Sequence, residues 1–501
     1  MLLRATIGAA GRALGWALVG MLLMGLVLYV HYLHSGPELE PWHRVHLEEE
    51  FTAGSADKVR TIADYRALEA RLFAELDRDV YADTEPEDRL PFNRYFRGSR
   101  SDPATWPVDW NRTWEHAPAA PPAAVLLLHG LTDSRYSMHA LAESFASQGL
   151  HVLALRLPGH GTAPAGLLSF RIEDMQAAVS LAMRDLRRRL GPDTPIFMIG
   201  YSNGAALAVD YALTVLEGAD APRTAGLVLI SPAIAVSPLA VVGRFKTGLS
   251  NIPGFERAGW QQIDAEVDPY KYASFSLHAA GETFRLTRAV ARRVRRLAEE
   301  GPIDGFPPVL ALVSAVDSTV NADAVVDALL MHLAPDGHEL VLFDVNRLAE
   351  ARALLVSGAG PLTRRLLEMS NRPFALTVIT NAGPDTLEIH ELRAPPGVAH
   401  LTARPLPLEW PRTVFSLSHV ALPFPPDDPL YGYAAAQDPS HVQLGRLEVR
   451  GENGVLAIPT WMLIRLRSNP FYSYLAERTD AFVRGGAPGT PVPETVVTPG
   501  D

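Results

Sequence analysis

Through the middle of the chain, short apolar runs alternate with longer stretches of helical periodicity. Ala123–Leu128, His151–Leu155, Ile196–Ile199, Gly226–Ile230 and Pro308–Ser314 are near-continuous apolar runs of strand length, as expected of strands covered on both faces. Arg135–Gln148, Glu173–Leu190 and Asn203–Leu216 lie between them and repeat apolar residues at helical spacing. This alternation predicts an α/β fold with a mostly parallel central sheet and helices on both faces. From Ser231 to Phe306 no clear strand appears, and the basic stretch Phe284–Glu299 reads as a helix with a solvated outer face. The interruption, about residues 235–306, is expected to be a helical cap inserted over the sheet. Strands return at Glu339–Phe343, Ala375–Thr380 and Val414–Leu417, with a helix over Leu348–Met369, so residues of about 345–412 read as a second insertion. Turns are expected in Pro423–Tyr433 and in Glu448–Ala457, and a last helix over Phe471–Val483. The α/β domain then spans 123–484, and the Gly/Pro/Thr-rich residues 485–501 are expected to be a disordered tail.

The N-terminal third follows a different pattern. Ala13–Val30 carries no charge, close to the roughly 20 residues a helix needs to cross a bilayer. Trp16, Tyr29 and Tyr32 flank it, Arg4 and Arg12 precede it, and Glu38, Glu40 and Glu48–Glu50 follow it. Residues 1–34 are therefore expected to be a cytoplasmic stub and a single-pass membrane anchor. The catalytic domain is then exported, facing the periplasm if the source is bacterial. A cleaved signal peptide and a buried helix are the alternatives. Residues 35–122 read as a spacer and N-terminal extension, with a helix over Tyr65–Val80 carrying Leu68, Leu72, Phe73 and Leu76 on one face.

Composition narrows the chemistry. A net charge of −11 argues against nucleic acid as a partner. The absence of cysteine removes disulfides, thiolate metal sites and cysteine nucleophiles. The 16 histidines are scattered without metal-ligand spacing, so no metal is expected.

Chemistry concentrates at Gly200-Tyr201-Ser202-Asn203-Gly204, where an apolar run meets a helix-forming Ala/Leu segment. A sharp strand-to-helix turn lifts a serine hydroxyl clear of the backbone, and the flanking glycines let strand and helix approach without a Cβ clash. Ser202 is the expected nucleophile. The turn in Leu128-His129-Gly130-Leu131 supplies a complementary feature, backbone N–H groups at the sheet's carboxyl edge. The backbone amides of Leu131 and Asn203 are the expected oxyanion donors, with His129 shaping the turn. Asp317 lies just past the strand Pro308–Ser314, which favours it as the acid over Asp323 and Asp304. His419 follows the expected strand Val414–Leu417 and precedes a Pro-rich loop; it is the expected base, with His441 second among the histidines after Asp317.

Together with Arg156-Leu157-Pro158-Gly159-His160-Gly161 and Val320, these motifs resemble the α/β-hydrolase superfamily, in particular its serine-aminopeptidase and monoacylglycerol-lipase-like branch. The resemblance runs from about Ala123 to Val483. It implies an α/β-hydrolase fold with a helical cap after the sixth strand, and hydrolysis of esters or related acyl groups without a cofactor. The stretch between Asp317 and His419 is far longer than in that branch. The expected function is cleavage of carboxylic, lipid-like acyl esters through Ser202, His419 and Asp317, with an acyl-enzyme intermediate. Peptidase or acyltransferase activity on the same residues and a catalytically silent, membrane-tethered binding module are the alternatives.

Overall fold

The computed structural model describes residues 15–25, 27, 37–234, 255–317, 320–352, 361–398, 400–446 and 465–485. The expected turn in Glu448–Ala457 and most of the expected tail lie outside them.

Strands β1 (Trp114–His116), β2 (Ala124–Leu128), β3 (His151–Leu155), β4 (Ile196–Tyr201), β5 (Gly226–Ile230), β6 (Trp260–Gln262), β7 (Phe275–Ser276), β8 (Val309–Ser314), β9 (Glu339–Phe343), β10 (Ala375–Asn381), β11 (Glu388–Ala394) and β12 (Thr402–Glu409) are ordered along the chain. Ten of them form one sheet in the order β1-β3-β2-β4-β5-β8-β9-β10-β11-β12, while β6 and β7 pair separately. From β3 to β10 all neighbours are parallel; β1 at one edge and β11 and β12 at the other are antiparallel. Among the described residues this is the mostly parallel sheet of an α/β hydrolase, and the predicted central strands fall on the observed ones within two residues at each end.

Both faces of the central strands are buried, which is why their sequences are apolar throughout rather than alternating. Leu126 and Leu128 of β2, Met198 of β4 and Val313 of β8 point into one hydrophobic cluster. Their neighbours Leu127, Ile199 and Leu312 point into a second on the opposite face. The first face is covered by α1 (Ile62–Leu76), α3 (Ile172–Leu190), α4 (Asn203–Leu216), α5 (Leu277–Leu297), α6 (Ala322–Ala328) and α7 (Pro361–Glu368). The second is covered by α2 (His139–Ser147) and α8 (Tyr472–Val483).

The stretch expected as a second insertion extends the sheet. It contributes β10, which pairs parallel with β9, and then the β11–β12 hairpin. The chain leaves the sheet centre after β9, adds three strands at the edge, and returns. Pro405 and Pro407 stand two residues apart on the outermost strand, β12. The expected strand Val414–Leu417 is not one: these residues run without a ladder partner and are held by a backbone bond, from the Asn346 amide to the Phe415 carbonyl (2.9 Å), and by side chains. Asn346 Nδ2 donates to the Val414 carbonyl (3.0 Å) and Ser314 Oγ to the Leu417 carbonyl (2.9 Å).

The membrane anchor and the exported placement that depended on it are corrected by the structure. Of the expected anchor, residues 15–25 and 27 are described and helical, and the rest of it lies outside the described residues. Among the described residues no helix is long and apolar enough to cross a membrane.

The N-terminal extension is packed into the fold. Phe51, Ile62, Tyr65 and Leu68 belong to the main hydrophobic cluster, and Trp42 stacks on Tyr95 with ring centroids 4.9 Å apart. Arg156, just past β3, is fully buried and paired with Glu69 (2.9 Å) and Glu50 (2.8 Å) of the extension. Those carboxylates look like surface charges in the sequence, and only the fold shows their buried partner.

Candidate active site

Ser202 stands between β4 and α4 with φ +55° and ψ −114°, a conformation L-residues avoid and surrounding structure must enforce. Its amide donates to the Ile230 carbonyl (2.9 Å), while its carbonyl accepts from Ala205 (3.1 Å), Ala206 (3.2 Å) and Ala233 (3.1 Å). The flanking glycines are required by contact. A Cβ on Gly200 would lie 2.4 Å from the Ala205 nitrogen, and one on Gly204 2.2 Å from the Leu128 carbonyl oxygen. Helix α4 therefore sits directly against the end of β2.

His419 reaches this serine from far along the chain. Its Nε2 lies 3.1 Å from Ser202 Oγ and its Nδ1 3.0 Å from Asp317 Oδ2. The carboxylate orients the ring: with the Nδ1 proton directed at Asp317, Nε2 is left with a lone pair facing the hydroxyl. The other Asp317 oxygen accepts from the Val320 amide (2.9 Å). The His419 and Asp317 side chains are 6% and 2% exposed, so little water competes for the pair. Tyr201 lies beside the imidazole, ring centroids 5.2 Å apart.

The His-Gly turn after β2 borders the same point. His129 is buried; its Nδ1 donates to the Gly130 carbonyl (2.8 Å) and its Nε2 accepts from the Leu157 amide (3.0 Å). Burial holds its pKa well below the ordinary imidazole value, so it stays neutral and shapes the turn, as expected. His160 behaves alike: burial lowers it to about 4, and its Nδ1 is tied to the Pro158 carbonyl (2.9 Å). Among the described residues, neither the Leu131 nor the Asn203 amide donates to a protein acceptor.

The rejected alternatives lie elsewhere. His441 is bound to Asp438 (2.6 Å) and to the Thr105 carbonyl (3.2 Å). Asp323 pairs with Arg365 (3.0 Å), and Asp304 is exposed. Among the described residues no group of three or more His, Asp or Glu side chains is placed to hold a metal ion. Sequence reading passed over Asp133 and Lys271, whose side chains pair beside the His-Gly turn. They are 138 residues apart, and neither lies in a recognisable motif with the other.

A parallel sheet carrying a serine on a strained strand-to-helix turn, with a histidine and an aspartate converging on it, defines a serine hydrolase of the α/β-hydrolase class. Residues 119–344 match the model of the family described as serine aminopeptidase, S33. A thermostable monoacylglycerol lipase from Bacillus sp. (strain H-257) is 33% identical over 208 residues, which cover 41% of this chain and 75% of that protein. The phospholipase YtpA of Bacillus subtilis (strain 168) is 27% identical over 128 residues, 25% of this chain and 45% of that one. Among solved structures, one of the metagenome-derived lipolytic enzymes LipS and LipT aligns with a TM-score of 0.38 at 25% identity, over 48% of this chain and 89% of that one. The chain belongs to the serine aminopeptidase S33 family.

Proposed function

We propose that this serine ester hydrolase cleaves acyl esters of lipid-like alcohols, such as monoacylglycerols or lysophospholipids, with Ser202 as nucleophile, His419 as general base and Asp317 as the group that orients it. The observation that carries the reading is the unbroken line from Asp317 Oδ2 through both nitrogens of His419 to Ser202 Oγ, at 3.0 and 3.1 Å.

In this mechanism His419 takes the Ser202 proton as the hydroxyl oxygen attacks the ester carbonyl. Asp317 stabilises the imidazolium that forms. The amides of Leu131 and Asn203 meet the oxyanion of the tetrahedral intermediate; a donor of this kind is worth about 3 kcal/mol. The imidazolium returns its proton to the leaving alkoxide. Water, deprotonated by His419 in turn, then releases the acid from the acyl-enzyme. Support for the substrate class comes from the two curated relatives, one named a monoacylglycerol lipase and the other a phospholipase.

A panel of p-nitrophenyl esters of increasing acyl length, together with monoacylglycerols, tests the reading. Turnover should depend on Ser202 and be accompanied by fluorophosphonate labelling of that residue. Wild-type protein that neither hydrolyses these esters nor takes the label at Ser202 would defeat it. The family's description favours one second reading, hydrolysis of aminoacyl amides on the same residues. Product analysis with aminoacyl p-nitroanilides beside the esters separates the two.

A further inference from the structure

The turn that presents the Leu131 amide is strained: Thr132, one residue on, has φ +66°, an uncommon conformation for a β-branched residue. Such a conformation persists only where neighbouring structure holds it. The holding structure here is a strap, residues 266–276, which leads into α5. The Tyr272 amide donates to the Thr132 carbonyl (2.8 Å), and Asp133 and Lys271 form an isolated antiparallel bridge. Lys271 Nζ also contacts Asp133 Oδ1, whose side chain is only 7% exposed. The other oxygen of Asp133 lies 2.6 Å from the position a Cβ on Gly130 would occupy, so the carboxylate packs against the residue preceding Leu131. A buried carboxylate needs a partner charge to stay in place, and Lys271 supplies it.

The strap is in turn fastened to the N-terminal extension. The Arg94 amide donates to the Glu266 carbonyl (3.0 Å), Ser101 Oγ to the Val267 carbonyl (2.7 Å) and Asn111 Nδ2 to the Pro269 carbonyl (3.1 Å). His43 Nε2 meets Ser274 Oγ at 2.9 Å.

We propose that Lys271 is a positioning residue for ester hydrolysis: through Asp133 it fixes the Gly130–Asp133 turn so that the Leu131 amide faces the carbonyl oxygen as charge develops there. This rests on the reading of the Leu131 amide as an oxyanion donor. Lys271 touches no reacting atom, and its effect falls on the step in which the oxyanion forms.

The test compares wild type, Lys271→Met, Lys271→Arg, Asp133→Asn and the Lys271→Met/Asp133→Asn double variant on p-nitrophenyl butyrate, with thermal unfolding and fluorophosphonate labelling rates measured alongside. Lys271→Met should lower kcat about 10- to 100-fold, less than outright loss of an oxyanion donor, and leave KM within about twofold. Lys271→Arg should recover kcat to within about threefold of wild type, and the double variant should lose no more than Lys271→Met alone, because both substitutions remove one interaction. A folded Lys271→Met protein with wild-type kcat, or a loss confined to KM, overturns the proposal. If Lys271→Met does not fold, Lys271→Arg and Asp133→Asn decide it: unchanged kcat in Asp133→Asn, or equal losses in both, overturns it. Failure of the underlying hydrolase reading shows in wild type alone, as absent turnover and labelling, and the proposal falls with it.

Discussion

His419 Nδ1 stands 3.0 Å from Asp317 Oδ2 across 102 residues of intervening chain. Much of that length is spent on β9, β10 and the β11–β12 hairpin, which widen the sheet before the chain returns to its carboxyl edge. Ser314, at the end of β8, and Asn346, just past β9, then anchor the returning loop through its carbonyls. An excursion of this size leaves the site geometry intact because it departs from and rejoins the same sheet edge.

Replacing either end of the proton path should abolish ester turnover. Ser202→Ala and His419→Ala are each expected to lower kcat on the order of 10⁶-fold, and Asp317→Asn about 10⁴-fold, with the fold unchanged. Steady-state assays on p-nitrophenyl esters check this. A His419→Ala protein that keeps the wild-type rate would show that another group acts as base.

Gly204→Ala places its Cβ 2.2 Å from the Leu128 carbonyl oxygen and 2.6 Å from that of His129, both fixed backbone atoms. The expected cost is about 3 kcal/mol, the upper range for overpacking. Gly281, in α5, has nothing within 4 Å of a built Cβ. Gly281→Ala should instead stabilise by about 0.5–1 kcal/mol through helix propensity. Denaturant unfolding of the two variants should move in opposite directions.

Arg156→Met leaves the buried Glu69 carboxylate without its cation. Breaking a buried pair from one side is expected to cost about 3–5 kcal/mol. Adding Glu69→Gln should restore part of the loss, since the stranded charge is removed as well. Urea unfolding of the single and double variants measures the recovery.

Glu266 gives stability a pH dependence. Burial pushes its carboxyl up to about 7, against the pull of Arg94 and of the Ser274 (2.9 Å) and Ala273 (3.1 Å) amides. In the unfolded chain it titrates near its ordinary value of 4.5. Between these values the folded protein holds the extra proton, so this group's contribution to stability falls as pH rises from about 4.5 to 7 and stays low above. Glu266→Gln removes that slope. The urea midpoint of wild type relative to Glu266→Gln should therefore decline over this interval; a flat or rising difference would contradict the assignment.

The parallel core and the sharp strand-to-helix turn at Ser202 could be read from residues alone because both leave local signals. His151–Leu155 and Gly226–Ile230 are buried on both faces and show as uninterrupted apolar runs, and Ser202 is framed by glycines that only a close strand–helix approach explains. Strand β11 gave no such signal. Its inward positions include Glu391 and Arg393, both buried and drawn into an ion network with Arg404 and Glu339. Val414–Leu417 misled for the converse reason: it has a strand's composition, yet side chains of Asn346 and Ser314 occupy carbonyls that a ladder would use. Glu50 and Glu69 could not be assigned because their partner, Arg156, lies about a hundred positions away and is itself hidden. The anchor expectation rested on an uncharged run with its flanking aromatic and charged residues, and among the described residues no helix is long and apolar enough to meet it.

The two prolines of β12 have a consequence for self-association. A proline offers no N–H, so Pro405 and Pro407 each leave the outermost strand a donor short, and Pro407 with Leu408 forms a bulge between the Leu406 and Glu409 pairs. A neighbouring chain approaching that rim finds no regular row of partners to zip onto. The widened sheet thereby offers a poor template for further strand addition at this margin.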